Sequence, residues 1–225
     1  MASPITRPSL PSSLGGDLRS GLGKLRLDLP QGAEQSLLDY IALLAKWNRT
    51  YNLTSIRDPA RMLTHHVLDA LAALPHLPDR PSMRILDVGS GGGVPGIPWA
   101  IARPRWEVVL VEANGKKAAF LVQAAIELHL ANVQARESRV EALSRDERFD
   151  VITSRAFSDL ATFASLSSPL LASGGVLAAM KGEMPVDEIA ALPPSIEVIE
   201  ALRLVVPGLD AARHLVLMRA CNTAA

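Results

Sequence analysis

The sequence of 225 residues contains a single cysteine, Cys221, near its C-terminus. One cysteine closes no internal disulfide and builds no cysteine-based zinc site. Long hydrophobic runs are also missing. The apolar stretches are broken by charge or glycine within roughly 10 residues, short of the ~20 that a bilayer span requires. No basic segment followed by an apolar run opens the chain, so no secretory signal is read. Neither sign of charge dominates, with 23 Lys and Arg against 23 Asp and Glu. Binding nucleic acid by bulk charge would need a strongly basic chain. With this balance, contact with RNA requires a local patch, or a substrate already presented by a larger assembly. His65 and His66 are adjacent on a helix and cannot share one face. They lack the i, i+4 spacing and carboxylate company of a metal site, so one is expected to be packed, the other exposed, and no metal is expected. These features describe a soluble cytoplasmic protein built as one α/β domain with a modest extra segment.

Along the chain, residues 1–30 are rich in Pro, Ser, Gly and Leu without sustained periodicity, and read as a flexible or loosely packed arm. From Gln31, apolar residues Leu37, Leu38, Ile41, Leu44 and Ala45 recur at helical spacing, up to Trp47-Asn48. A second helix starts at Asp58-Pro59, an N-cap followed by proline at the first helical position. Residues 31–80 thus form a helical cap. Residues 81–221 then alternate between short apolar strands and helices. Arg84 to Val88, Glu107 to Val111, Val133 to Ala135, Phe149 to Thr153 and Gly175 to Met180 read as strands. Such alternation implies a doubly wound, parallel α/β sheet covered on both faces. The last two apolar segments, Ile196 to Val206 and His214 to Arg219, are joined by a turn at Pro207-Gly208 and leave no room for a crossover helix. They should pair antiparallel, giving a mostly parallel seven-stranded sheet with a C-terminal hairpin.

The strongest local signal lies between the first strand and the next helix: Asp87-Val88-Gly89-Ser90-Gly91-Gly92-Gly93-Val94-Pro95-Gly96. Open sheets bind ligands outside the carboxyl ends of their strands. Glycines there let the backbone approach a ligand, and a helix N-terminus offers N–H groups to a pyrophosphate or a carboxylate. Gly89, Gly91, Gly93 and Val94 are therefore candidate cofactor contacts. Glu112, about 20 residues further on, is placed to accept hydrogen bonds from both hydroxyls of a ribose. That acid serves a nicotinamide dinucleotide and S-adenosylmethionine equally. The acidic Asp87 before the first glycine, the C-terminal hairpin and two loop details together favour the methyl donor. Counted from Gly89, the sixth loop position is Val94 rather than glycine, and Pro95 lacks a backbone N–H that a pyrophosphate loop would use.

A series of short segments adds a resemblance. Trp47 to Ile56, His65-His66-Val67-Leu68-Asp69, Leu86 to Pro98, Thr153-Ser154-Arg155-Ala156-Phe157, Lys181-Gly182 and Arg213-His214-Leu215-Val216 occur in one order. The series resembles the ribosomal RNA small-subunit methyltransferase G family, also called glucose-inhibited division protein B, from about residue 35 to 219. The resemblance implies a class I, Rossmann-like methyltransferase fold. It also implies transfer of a methyl group from S-adenosylmethionine to N7 of one guanine in bacterial small-subunit ribosomal RNA. By the same resemblance the cofactor contacts fall on Gly89, Gly91, Val94, Glu112, Val140, Glu141 and Arg155. The chain departs from the family pattern in carrying Gly92 and Val94 in the loop, and Glu112 where aspartate is also common.

Methylation at N7 suits a site without an obvious nucleophile or acid–base pair. N7 carries an in-plane lone pair and no hydrogen, so alignment is the task, worth up to ~7–11 kcal/mol. Arg155 and Lys181, both at strand carboxyl ends, are the candidate catalytic residues. Arg155 is read as a holder of the methionine carboxylate, or as a donor to guanine O6 or a phosphate. Lys181 is read as a contact to RNA phosphate. Tyr51, Asn52, Lys116, Lys117 and Arg139, with Arg136 nearby, are candidates for touching RNA, Tyr51 by stacking. The expected partner is the small ribosomal subunit or its RNA, met by a monomer. A methyltransferase acting on a small molecule or protein, a dinucleotide-dependent oxidoreductase and a non-catalytic binding module remain alternatives.

Overall fold

The computed structural model describes residues 10–155 and 157–221. Residues 1–9 of the expected arm, and Ala156 of the Thr153–Phe157 segment, lie outside the described residues. Seven strands form one sheet: β1 (Arg84–Val88), β2 (Glu107–Glu112), β3 (Val133–Glu137), β4 (Phe149–Arg155), β5 (Leu171–Lys181), β6 (Ile196–Arg203) and β7 (His214–Ala220). Their spatial order is β3-β2-β1-β4-β5-β7-β6. The first five run parallel, and β7 lies antiparallel between β5 and β6. This is the expected sheet with its terminal hairpin. The order reverses between β1 and β4, so the carboxyl ends of these two strands flank the crevice where open sheets take ligands.

Among the described residues, three longer helical segments and a 3-10 turn, Leu74–His76, precede the sheet. Helix α1 spans Leu14–Leu25 and α2 spans Ala33–Tyr51. The third, α3, covers 59–72 as two α-helical pieces, Pro59–Met62 and Asp69–Ala72, around a π-helical Leu63–Leu68. Asp58 caps α3 as expected, its carboxylate accepting from the Ala60 N–H at 3.1 Å. Helices α4 (Gly96–Ala102), α5 (Gly115–Glu127), α6 (Leu160–Ser167) and α7 (Val186–Ala190) follow within the sheet domain. Helices α4 and α5 belong to the apolar layer that the cap also joins, whereas α6 packs on the opposite face with Leu86, Val109 and Ile152. No helix among the described residues is long and apolar enough to cross a membrane.

The arm is the element that differs most from expectation. Residues 14–25 form an ordered helix whose Leu14, Leu18 and Leu22 are buried in the same core as Leu37 and Leu68. The i, i+4 leucine spacing supplies an apolar stripe, and Gly21 permits the approach. A Cβ at Gly21 would stand 2.7 Å from Leu68 Cδ1. Helix α2 also runs about one turn further than expected, to Tyr51, and is capped by Asn52, which adopts a left-handed conformation with φ 49°. Because Leu18 is fully buried, Leu18→Ala should cost about 2–5 kcal/mol of stability in urea denaturation. An arm that merely lay on the surface would give a change within about 0.5 kcal/mol.

Candidate active site

The glycine loop is shaped by bonds to its own neighbours. Gly89 and Ser90 N–H both donate to the Val111 carbonyl of β2, at 2.8 and 3.1 Å. Gly93 and Val94 N–H both donate to the Ser90 carbonyl, at 2.7 and 3.2 Å. Gly93 and Val94 therefore turn inward. Val94 belongs to the core, and a Cβ on Gly93 would strike Ile97 and Leu121. Gly89 faces the other way: its φ is +70°, and nothing lies within 4 Å of where a Cβ would be. The Gly89, Ser90, Gly93 and Val94 N–H groups are thus spent inside the protein, and so are those expected to be free at the helix N-terminus, Gly96 donating to Asp87 Oδ2 at 3.0 Å and Ile97 to the Gly93 carbonyl at 2.8 Å. What Gly89 offers is close approach to bare backbone.

Glu112 ends β2 beside this open face and is 8% exposed. Its Oε2 accepts from Gly91 N–H and its Oε1 from Asn114 N–H, each at 2.9 Å. A carboxylate has about four acceptor positions, so two remain for the paired hydroxyls of a ribose. Glu112 pairs with Glu137 across β2 and β3, and its carbonyl accepts from Ser138 N–H at 3.1 Å. That register brings the Val140–Ala142 turn alongside, with Val140 buried against the cluster containing Val88 and Val111, and Glu141 exposed. Open backbone at Gly89, a held acid at Glu112 and an apolar wall at Val140 fit the adenosyl half of S-adenosylmethionine.

The cap grips both sides of this edge. From α2, the buried Tyr40 hydroxyl donates to the Gly92 carbonyl at 2.6 Å. Burial pushes the Tyr40 pKa up. Buried Asn48 ties the turn after α2, its Nδ2 donating to Ile56 O at 3.0 Å and its Oδ1 accepting from Thr54 N–H at 2.9 Å. In α3, His66 is buried and His65 half-buried. His66 Nε2 lies 2.9 Å from Thr54 Oγ1. Burial, then the Arg155 charge, lowers its pKa to about 3, so the imidazole is neutral. One turn on, Asp69 is buried between two guanidiniums, with Oδ2 3.4 Å from Arg155 Nη1 and Oδ1 3.2 Å from Arg213 Nε. Burial raises the Asp69 pKa, against the pull of Arg155 and Arg213. Arg155 Nη1 also donates to the His65 carbonyl at 2.9 Å. A cavity of about 310 Å³ opens here, lined by Asp69, Arg155, Met180, Lys181, Leu204 and Arg213 among others.

A model of the family described as rRNA small subunit methyltransferase G matches residues 33–216. The chain belongs to this family. It is 55% identical to the ribosomal RNA small subunit methyltransferase G of Laribacter hongkongensis, over 91% of this chain and 97% of that one. To the protein of the same name from Chromobacterium violaceum it is 52% identical, over 90% of this chain and 96% of that one. Among solved structures, a precorrin-6y C5,15-methyltransferase from Geobacter metallireducens shares the fold with a TM-score of 0.51 and 14% identity, over 67% of this chain and 87% of that one. The fold is that of class I methyltransferases.

In this member of the methyltransferase G family, the residues expected at the site separate into three groups. Gly89, Gly91, Glu112 and Val140 come together at the carboxyl ends of β1 to β3. Arg155 and Lys181 meet at the cavity, but both are engaged. The Lys181 ammonium lies 2.7 Å from Glu188 Oε2 and 3.0 Å from Oε1, and only 12% of its side chain is exposed. Tyr51, Asn52, Lys116 and Arg139 are exposed, and Lys117 half-exposed. Tyr51 packs its ring on Trp47 with centroids 5.2 Å apart, and Asn114 Oδ1 caps the N–H groups of both lysines. Arg136 is occupied, donating at 2.7 Å to Glu147. Tyr40, Asn48, Asp69, Glu188 and Arg213 were not anticipated as site residues. Asn48, Asp69 and Arg213 lie within the segments that carry the family resemblance, and Tyr40 and Glu188 do not.

Asp87, at the loop's start, is fully buried. Its Oδ2 accepts from Gly96 N–H at 3.0 Å, while Oδ1 has no hydrogen-bond partner. Burial raises its pKa from 3.8 to about 7, against the Gly96 bond. A raised folded-state pKa means that the folded chain holds the proton more tightly, so stability is lost as pH climbs from the unfolded value towards the folded one. Relative to Asp87→Asn, the wild-type chain should therefore lose stability between pH 3.8 and about 7. Urea melts of both at pH 5 and 8 check this; a constant difference would contradict it.

Proposed function

We propose that this protein transfers a methyl group from S-adenosylmethionine to N7 of a specific guanine in bacterial small-subunit (16S) ribosomal RNA, working as a cytoplasmic monomer on the small subunit or its RNA. The observation that carries the reading is the position of Glu112. A buried carboxylate is held by Gly91 and Asn114 N–H at the edge of an open glycine face, in a chain of the methyltransferase G family.

S-adenosylmethionine supplies an electrophilic methyl carbon on a sulfonium. The protein's own residues bind and orient. Glu112 would take the ribose hydroxyls, Val140 and Glu141 would contact the cofactor from the turn after β3, and Gly89 would let the backbone lie against it. Arg155 keeps N–H groups beyond those given to the cap, and these address the methionine carboxylate or the incoming base. Lys181, held by Glu188, contributes local positive charge at the same edge. A guanine N7 has no proton to lose, which agrees with a site whose ionisable groups are fixed in pairs rather than poised to exchange protons. Tyr51, Asn52, Lys116, Lys117 and Arg139 form the RNA-facing rim that a chain of zero net charge needs.

Small ribosomal subunits lacking the modification, incubated with labelled S-adenosylmethionine, should yield label as 7-methylguanosine after digestion. Label absent from RNA, with cofactor binding retained, would move the substrate to a small molecule or protein. Glu112→Ala should weaken cofactor binding by roughly 2–4 kcal/mol in calorimetry, the scale of losing charge-assisted hydrogen bonds. Unchanged affinity would remove Glu112 from this role.

A further inference from the structure

The cavity beneath the cap is built differently from the cofactor edge. Its polar groups are cations: the guanidiniums of Arg155 and Arg213 and the ammonium of Lys181. Each is tethered to a carboxylate, Asp69 for the two arginines and Glu188 for the lysine. The side chains of Arg155 and Arg213 keep 29% and 23% exposure, whereas Asp69 is 1% exposed. The cavity therefore presents N–H donors to a visitor and keeps its acceptor behind them. Met180 and Leu204 supply apolar wall. A slot that combines N–H donors with apolar wall suits a flat heterocycle bearing a carbonyl better than a bare phosphate. The volume of about 310 Å³ is in the range of small-ligand sites.

Methyl transfer to N7 shifts charge onto that heterocycle. The N7 lone pair forms the new N–C bond while the S–C bond breaks and its electron pair stays on sulfur. The sulfonium becomes a neutral thioether and the purine becomes a cation. Three cations around the base would oppose this. The two carboxylates reduce the formal excess to a single positive charge, and Asp69 is the one that serves both arginines.

Resting on the reading above, we propose that this cavity receives the target guanine by its O6 edge, with Arg213 as a donor to O6. Asp69 is then the positioning residue that holds Arg155 and Arg213 in place and counters the positive charge arriving on the ring. This assigns a kinetic role to a buried residue of the cap. Its removal raises the barrier by releasing the donors and leaving their charge unbalanced, while the cofactor edge at Gly89 and Glu112 stays intact. A residue that only fastened the cap would lower stability without altering turnover of the folded enzyme.

The test compares wild type, Asp69→Asn and Arg213→Lys on unmodified small ribosomal subunits with labelled S-adenosylmethionine. Turnover, KM for subunits and calorimetric affinity for the cofactor are read for each. Asp69→Asn should lower kcat by roughly 10²-fold, the scale of a lost oriented donor. Subunit KM should stay within about threefold in both variants, and so should cofactor affinity in Arg213→Lys, whose side chain is given no cofactor contact. Arg213→Lys, which removes no charge, should lower kcat by roughly tenfold through loss of the fork geometry. If Asp69→Asn fails to bind the cofactor because it does not fold, Arg213→Lys decides alone. Unaltered kcat in the folded variants, or an effect confined to KM as for a phosphate contact, overturns the assignment. Wild-type enzyme that yields no 7-methylguanosine overturns both readings together; wild-type label with unaltered variants overturns this one alone.

Discussion

A carboxylate removed from water must find positive charge close by or give up its own. Asp69 meets that demand across the boundary between cap and sheet domain. It sits on α3, and its partners are Arg155 at the end of β4 and Arg213 just before β7. Satisfying one buried charge thus fixes the rotation of α3 over the sheet, the direction of two guanidiniums and the mouth of the cavity. The neutral His66 and the Thr54 turn complete the same contact. At the other end of the cap, the Tyr40 bond to Gly92 seats α2 on the glycine loop. The cap therefore touches both halves of the edge, the half shaped for a cofactor and the half lined with donors. Such a pair is weak evidence for net stability, because burying charge costs about what the attraction returns. Its consequence is geometric.

Much of the sheet was legible because a buried parallel strand must be apolar along its whole length. Val108 to Val111 and Val151-Ile152 announce themselves without any knowledge of the rest. The hairpin was legible from connection length, since a short link cannot carry a parallel crossover. Helix α1 was hidden for a physical reason. Gly15, Gly16, Gly21 and Gly23 lower its intrinsic propensity, and its stability comes instead from tertiary burial of Leu14, Leu18 and Leu22. One of these glycines, Gly21, which argues against a helix in isolation, permits close packing on Leu68. Nor does local sequence announce the π-helical turn at Leu63–Leu68, which sits where His65, His66 and Asp69 meet Arg155.

The site divides along the same line. Gly89 and Glu112 could be read because strand, loop and acid are close in sequence and follow a spacing set by one βαβ unit. Gly93 and Val94 were read from the same pattern but serve the turn rather than the open face, a distinction carried by their bonds to Ser90. Tyr40, Asp69 and Arg213 depend on partners 52, 86 and 144 positions away, the last being 213 minus 69. No local pattern encodes such pairs. A tyrosine in an amphipathic helix looks like core, and here it is core that also donates a hydrogen bond to the loop.

The balance of charge, which counted mildly against an RNA substrate at first, takes on another meaning once the pairs are known. Several acids are committed to pairs: Asp69 to two arginines, Glu188 to Lys181, Glu147 to Arg84 and Arg136, Glu112 to backbone N–H. Lys116 and Arg139 remain exposed outside these pairs. Net charge sums over the whole chain, whereas screening restricts a polyanion's view to charges within about 10 Å. The pairs at the cavity have another task. They hold donors rigid before any ligand arrives, and a reaction that needs alignment and no proton transfer gains most from groups that do not reorganise.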